Sequence, residues 1–138
     1  SMKCDCGQQL DEAMHYINKS KEGGFLFYLN QEGRGLGIHN KILSYKLQSY
    51  GIDTYKADNI LGYSGDERNY FAALQILKFL KIRTLNLITN NPGKISALKK
   101  SNINVKKMIT IKPKVNRFNK KYMETKKILG NHKIKLKE

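Results

Sequence analysis

Phe25-Leu26-Phe27-Tyr28-Leu29 runs directly into Asn30-Gln31-Glu32-Gly33-Arg34-Gly35-Leu36-Gly37, and the reading of that junction decides the fold. The first part is a short apolar and aromatic run bounded by turn residues, as expected of a buried strand. Behind the glycines, Ile38 to Tyr50 has helical spacing and is stopped by Gly51. Strand, glycine loop and helix in that order read as one unit of an α/β layer. Three glycines let the backbone approach a ligand, and a helix N-terminus behind them favours an anion. The loop is neither a P-loop nor the G-x-G-x-x-G fingerprint. Glu32 beside Arg34 can grip a purine or close on itself as a salt bridge, and both readings stand at this level.

Outward from the junction, Gln8 to Ser20 carries Leu10, Met14 and Ile17 on one helical face. Thr54 to Ala57 reads as a strand and Asn59 to Asp66 as a loop. Arg68 to Leu80 reads as a helix begun by Asp66 or Glu67. Thr84 to Thr89 alternates like a strand, Asn90-Asn91-Pro92-Gly93 is turn chemistry, and Lys94 to Lys100 is a short helix. Val105 to Ile111 is a further strand, and Lys120 to Leu129 a helix. The expectation is an α/β fold: a single layered domain, 1–138, with a mixed sheet flanked by helices and ligand loops at the strand ends.

A chain of 138 residues suits one domain. No apolar run is long enough to cross a bilayer, and no apolar segment follows Lys3, so a cytoplasmic protein without a membrane association is expected. The formal net charge of +15 makes an anion the natural partner. No RNA or DNA module is recognisable, and the aromatic residues sit inside apolar runs rather than in a stacking row, so nucleic acid is not the expected one. The basic tail from about residue 112 reads as a solvated face.

Three further groups carry chemistry. Cys4-Asp5-Cys6 places two thiols one residue apart, a spacing suited either to metal ligation or to plain surface thiols. His15, His39 and His132 have no spacing that nominates a third ligand. Asp66-Glu67-Arg68 lies at a loop-to-helix junction, where an arginine in the first turn would oppose the helix dipole and so suggests an anion to meet. Thr89 to Lys94 ends a strand and begins a helix with a lysine, which suits phosphate oxygens or is simply a polar turn.

Taken in order, Cys4-Asp5-Cys6-Gly7, the glycine loop from Gln31 to Gly37, Asp66-Glu67-Arg68, Thr89-Asn90-Asn91-Pro92-x-Lys94 and the late Tyr122-x-x-Thr125-Lys126 run toward His132 resemble GTP cyclohydrolase II. The resemblance implies an α/β domain that forms a homodimer. It implies hydrolytic opening of the guanine imidazole ring of GTP, with release of formate and pyrophosphate, as the first step of riboflavin synthesis. Cys4 and Cys6 match two of the family's three zinc thiolates, and zinc lowers the pKa of a bound water to ~7. Magnesium on the pyrophosphate is implied as well. Gln9, Glu32, Gly33, Arg34, Thr54, Thr89 and Lys94 match positions that contact GTP, while Asp66, Arg68 and Tyr45 match catalytic positions.

By that analogy Tyr45 donates a proton or polarises the reacting centre, and Asp66 orients water or accepts a proton. A guanidinium stays protonated, so Arg68 is expected to stabilise charge during phosphoryl transfer. Glu32 can accept from the N1 and N2 edge of guanine, which adenine does not offer, so GTP is expected over ATP. Two departures stand out. The family carries Arg-Val-His-Ser-Glu-Cys, with the third zinc cysteine, upstream of the point where this sequence begins, so an N-terminally truncated domain short of one ligand is expected. The alternative to an active enzyme is therefore a homologue that binds guanine nucleotide or a partner without turnover. The second departure is Asn30, where the family usually has arginine.

Overall fold

The structure, a computed structural model, describes residues 2–64 and 66–128. Among these the elements follow in the order α1 (Cys6–Lys19), α2 (Gly37–Ser49), α3 (Thr54–Ile60), α4 (Phe71–Phe79), β1 (Thr84–Ile88), α5 (Pro92–Lys100), β2 (Asn104–Ile109) and α6 (Lys120–Ile128). The α/β class holds, and among the described residues the sheet is one parallel pair. Backbone contacts divide the chain into two compact units, Ser1–Phe27 with Tyr70–Glu138, and Tyr28–Asn69.

In the first unit, β1, α5 and β2 form a strand–helix–strand crossover, with Thr84 opposite Asn104, Leu85 opposite Val105 and Ile88 opposite Ile109. One residue is skipped after Leu85, where the register shifts. Asn91 begins α5 by accepting from Gly93 N at 2.8 Å, and Pro92 sits where a missing N–H costs nothing. Leu77, Leu98 and Ile103 are buried together, with Phe27, Leu74, Ile82, Leu85, Leu87 and Val105 packed around them. β2 ends at Ile109 rather than Ile111 because a side chain takes over the pairing. Asn90 Nδ2 donates to Ile111 O at 2.7 Å, and Ile111 N donates to Asn90 Oδ1 at 3.0 Å.

Three expectations are corrected. Phe25 to Leu29 is not a strand: no described strand pairs with it, Phe25, Leu26 and Tyr28 are exposed, and Phe27 alone of these packs on the core. Thr54 to Ala57 is the first turn of α3, because Asp53 caps it by accepting from Tyr55 N and Lys56 N, both at 3.0 Å. The helix expected from Asp66 or Arg68 begins only at Phe71. Asp66 is bound to Arg68 and Glu67 accepts from Ser64, so neither side chain is left to cap a helix. The dipole argument for Arg68 therefore falls.

The tail is also more than a solvated face. Lys112 O accepts from Gln8 Nε2 at 2.8 Å, Lys114 N donates to Gln8 Oε1 at 2.6 Å, and Met123 and Asn119 are buried. Leu129 and His132 lie outside the described residues.

Candidate functional site

In the unit Tyr28–Asn69, the glycine loop turns on a run of left-handed backbone: Gly33, Arg34, Gly35 and Gly37 have φ of 60°, 62°, 93° and 85°. Arg34 is the costly member, since a side chain in this region costs about 1–2 kcal/mol. The surrounding contacts hold it there. Arg34 Nη1 donates to Asp58 Oδ2 at 2.9 Å, and its guanidinium lies 4.2 Å from the Tyr55 ring centroid. Asp58 also accepts from Ser44 Oγ at 3.0 Å. Burial pushes the Asp58 carboxyl above its ordinary value, and the hydrogen bonds and charge of Ser44 and Arg34 offset that only in part.

Glu32 and Arg34 do not close on each other. Glu32 Oε2 accepts from Lys41 Nζ at 2.6 Å, one turn into α2. That leaves the two charges of the motif aimed at separate partners.

The glycine loop is fastened to the Asp66–Arg68 loop by main chain and side chain together. Glu67 N donates to Arg34 O at 2.9 Å. Gln31 Nε2 donates to Asn69 O at 2.8 Å, and Asn69 N donates back to Gln31 Oε1 at 2.9 Å. Gly35 makes the approach feasible, because a Cβ there would lie 2.9 Å from the Glu67 carbonyl carbon. Arg68 grips Asp66 through Nε at 2.7 Å and Nη2 at 2.5 Å, a two-pronged pair. Burial pushes the Asp66 carboxyl up, but the hydrogen bonds and charge of Arg68, with the charge of Arg34, outweigh it and hold the group below its ordinary value. Tyr45 lies on α2 with its hydroxyl oxygen buried, and Thr54 is buried at the start of α3.

The other candidates belong to the first unit. Cys4 is buried and Cys6 is exposed, at the start of α1, and Gln9 is on the first turns of that helix. Gln9 Nε2 donates to Asp5 Oδ2. Thr89 is buried after β1 and its Oγ1 accepts from Asn91 N at 3.1 Å, while Lys94 is in the first turn of α5. Two thiols are short of the three protein ligands a catalytic zinc requires. Among the described residues no group of three His, Cys, Asp or Glu side chains is placed to hold a metal ion, so these residues alone do not complete a zinc site. No described helix is long and apolar enough to cross a membrane.

Asp58 escaped the sequence reading because a single carboxylate inside a seven-residue helix carries no motif. Lys126 enters that reading only as part of the late motif; its contact with Asp5, Nζ to Oδ1 at 3.0 Å, spans 121 residues and leaves no local trace.

These features define an α/β protein whose charged groups are presented on two loops locked together by glycine and glutamine. Comparison with known proteins narrows this. Residues 1–110 match the family described as GTP cyclohydrolase II, and the chain belongs to that family. It is 48% identical over 135 residues to a GTP cyclohydrolase-2 of Psychromonas ingrahamii, covering 98% of this chain and 66% of that protein. It is 47% identical over 127 residues to a GTP cyclohydrolase-2 of Campylobacter hominis, covering 92% of this chain and 64% of that protein. A riboflavin biosynthesis protein RibBA of Staphylococcus aureus is 45% identical over 134 residues, covering 97% of this chain and 34% of that protein. The chain thus spans about two thirds of the length of the first two relatives.

Proposed function

We propose that the chain is the major part of a GTP cyclohydrolase II, which opens the imidazole ring of GTP and releases formate and pyrophosphate at the first step of riboflavin synthesis. The observation that carries this is the fastening of the glycine loop to the Asp66–Arg68 loop through Glu67 N to Arg34 O and the paired Gln31–Asn69 bonds. It holds the paired Asp66 and Arg68 side chains against the glycine loop, the preorganisation that catalysis on a phosphorylated substrate needs.

In this reading Arg68 stabilises charge on the phosphates. Asp66 orients water or accepts a proton. Glu32 and Gly33 meet the guanine, and Gln9, Arg34, Thr54, Thr89 and Lys94 contact the remainder of GTP. Tyr45 donates or polarises from α2. Cys4 and Cys6 are two donors of a zinc centre completed by a donor outside the described residues, and magnesium accompanies the pyrophosphate. A cytoplasmic homodimer belongs to the same proposal. The test is formate and pyrophosphate release from GTP in the presence of zinc and magnesium ions. The absence of both products, with the protein folded, would count against it.

The second reading is a homologue that binds guanine nucleotide or a partner without turnover. GTP binding by calorimetry without formate release would select it.

A further inference from the structure

Asp5 stands at the N-cap of α1, yet its side chain makes no capping hydrogen bond there. An aspartate at that position ordinarily accepts from the free N–H groups of the first turn. Here the carboxylate is fully buried. Lys126 Nζ reaches it at 3.0 Å and 3.3 Å to the two oxygens, and Gln9 Nε2 donates to Oδ2. A charge removed from water in this way requires a partner, and Lys126 on α6 supplies it.

Lys126 is itself held in place. Met123 is fully buried one turn before it. Asn119 Nδ2 donates to Lys114 O at 3.0 Å, Asn116 N donates to Asn119 Oδ1 at 2.8 Å, and Asn116 Nδ2 donates to Met2 O at 3.3 Å. The segment 112–126 thus passes over the N-terminal residues and ends in an ammonium group against the residue between the two cysteines.

We propose that Lys126 is a positioning residue for the Cys4-Asp5-Cys6 turn: by clamping Asp5 it fixes the backbone that carries both thiols and the side chain of Gln9. Within the GTP cyclohydrolase II reading, this makes the C-terminal helix part of the thiol centre's support. Lys126 acts through Asp5 and not on substrate.

The test uses the full chain, reduced and freed of metal by chelator, and follows iodoacetamide modification of Cys4 and Cys6 by mass spectrometry. Cys4 is buried and Cys6 exposed, so the two thiols report separately. In Lys126→Met the rate at Cys4 is expected to rise on the order of tenfold through local opening, while Cys6 and the amide protection of Leu98 and Ile103 stay at wild-type values. Lys126→Arg is expected to restore slow modification of Cys4. Asp5→Asn is expected to raise the Cys4 rate by itself, with Lys126→Met adding nothing further, the signature of coupled residues. An unchanged Cys4 rate in Lys126→Met would overturn the proposal. So would failure of Lys126→Arg to rescue, or loss of core protection in step with Cys4. None of these readouts involves GTP, so an inactive wild-type protein would remove the proposed function and leave this inference to stand or fall by itself.

Discussion

Arg34 and Asp58 join the glycine loop to α3: Nη1 lies 2.9 Å from Oδ2, and the two side chains are 14% and 4% exposed. The guanidinium also covers Tyr55 at 4.2 Å. Removing one member of a buried pair strands the other, so Arg34→Ala is expected to lower stability by about 3–5 kcal/mol. Arg34→Lys should recover little of this, because an ammonium cannot reproduce the flat stacking on Tyr55. Asp58→Asn keeps an acceptor for Ser44 and Arg34 and is expected to cost less than Arg34→Ala. Urea unfolding of the three variants checks the order.

Two carboxyls of the same unit are displaced in opposite directions, and each tilts the acid limb of stability its own way. Asp66 lies below the ordinary value of 3.8 in the folded state, so its contribution is present above that value and is lost as pH falls through the folded one. Asp58 is raised above 3.8, so its contribution is complete below 3.8 and is lost as pH rises through its folded value. Asp66→Asn should therefore flatten the fall of stability in acid, and Asp58→Asn should steepen it. Chemical denaturation at a series of pH values between about 2 and 6 reads both slopes.

How much of this the residues announce by themselves depends on the range of the interaction. The β1–α5–β2 unit was legible, because the alternation at Leu85 and Leu87 and the Asn-Pro-Gly start of α5 are local signals. The strand expected at Thr54 was a misreading of β-branched and aromatic residues. Asp53 immediately before Thr54 was the better signal, since a cap fixes the first turn whatever the strand propensity behind it. Phe25 to Leu29 has strand composition, but a strand requires a ladder partner, and composition does not supply one. The glycine loop and the Asp66–Arg68 loop were each visible, whereas the bonds from Gln31 to Asn69 span 38 residues and leave no periodic trace.

Gly35 and Gly37 offer a controlled pair. Both have positive φ, 93° and 85°, so alanine at either is strained by about 1–2 kcal/mol. Only at Gly35 does the added Cβ strike main chain: it would stand 2.9 Å from Glu67 C, 3.1 Å from Glu67 O and 3.2 Å from Arg68 N, while nothing lies within 4 Å of the one at Gly37. Gly35→Ala is expected to part the two loops and release the Glu67 amide to exchange, with a larger loss of GTP turnover than Gly37→Ala. Hydrogen exchange at Glu67 beside steady-state formate release separates the two effects.

Under the proposed zinc centre, metal and thiols must be lost together. Chelation is expected to stop formate release and added zinc to restore it, whereas Cys4→Ser and Cys6→Ser should remain inactive after zinc is added. Elemental analysis alongside the assay distinguishes a lost metal from a lost fold.

Under the proposed guanine contact, discrimination between purines would follow from the way Glu32 is held. Lys41 Nζ binds one oxygen of its carboxylate, Oε2, at 2.6 Å, which fixes the group on the glycine loop without using both oxygens. A guanine presenting N1–H and the N2 amino group satisfies a carboxylate, and an adenine in the same position does not. Glu32→Gln replaces one acceptor by a donor, so it should weaken GTP by about 1–3 kcal/mol, roughly five- to 150-fold, and change ATP little. Lys41→Met keeps the carboxylate but frees its orientation, and is expected to weaken GTP less than Glu32→Gln does. Calorimetric titration of both nucleotides against the three proteins decides the matter. Equal losses for GTP and ATP in Glu32→Gln would show that Glu32 supports the loop rather than reading the base.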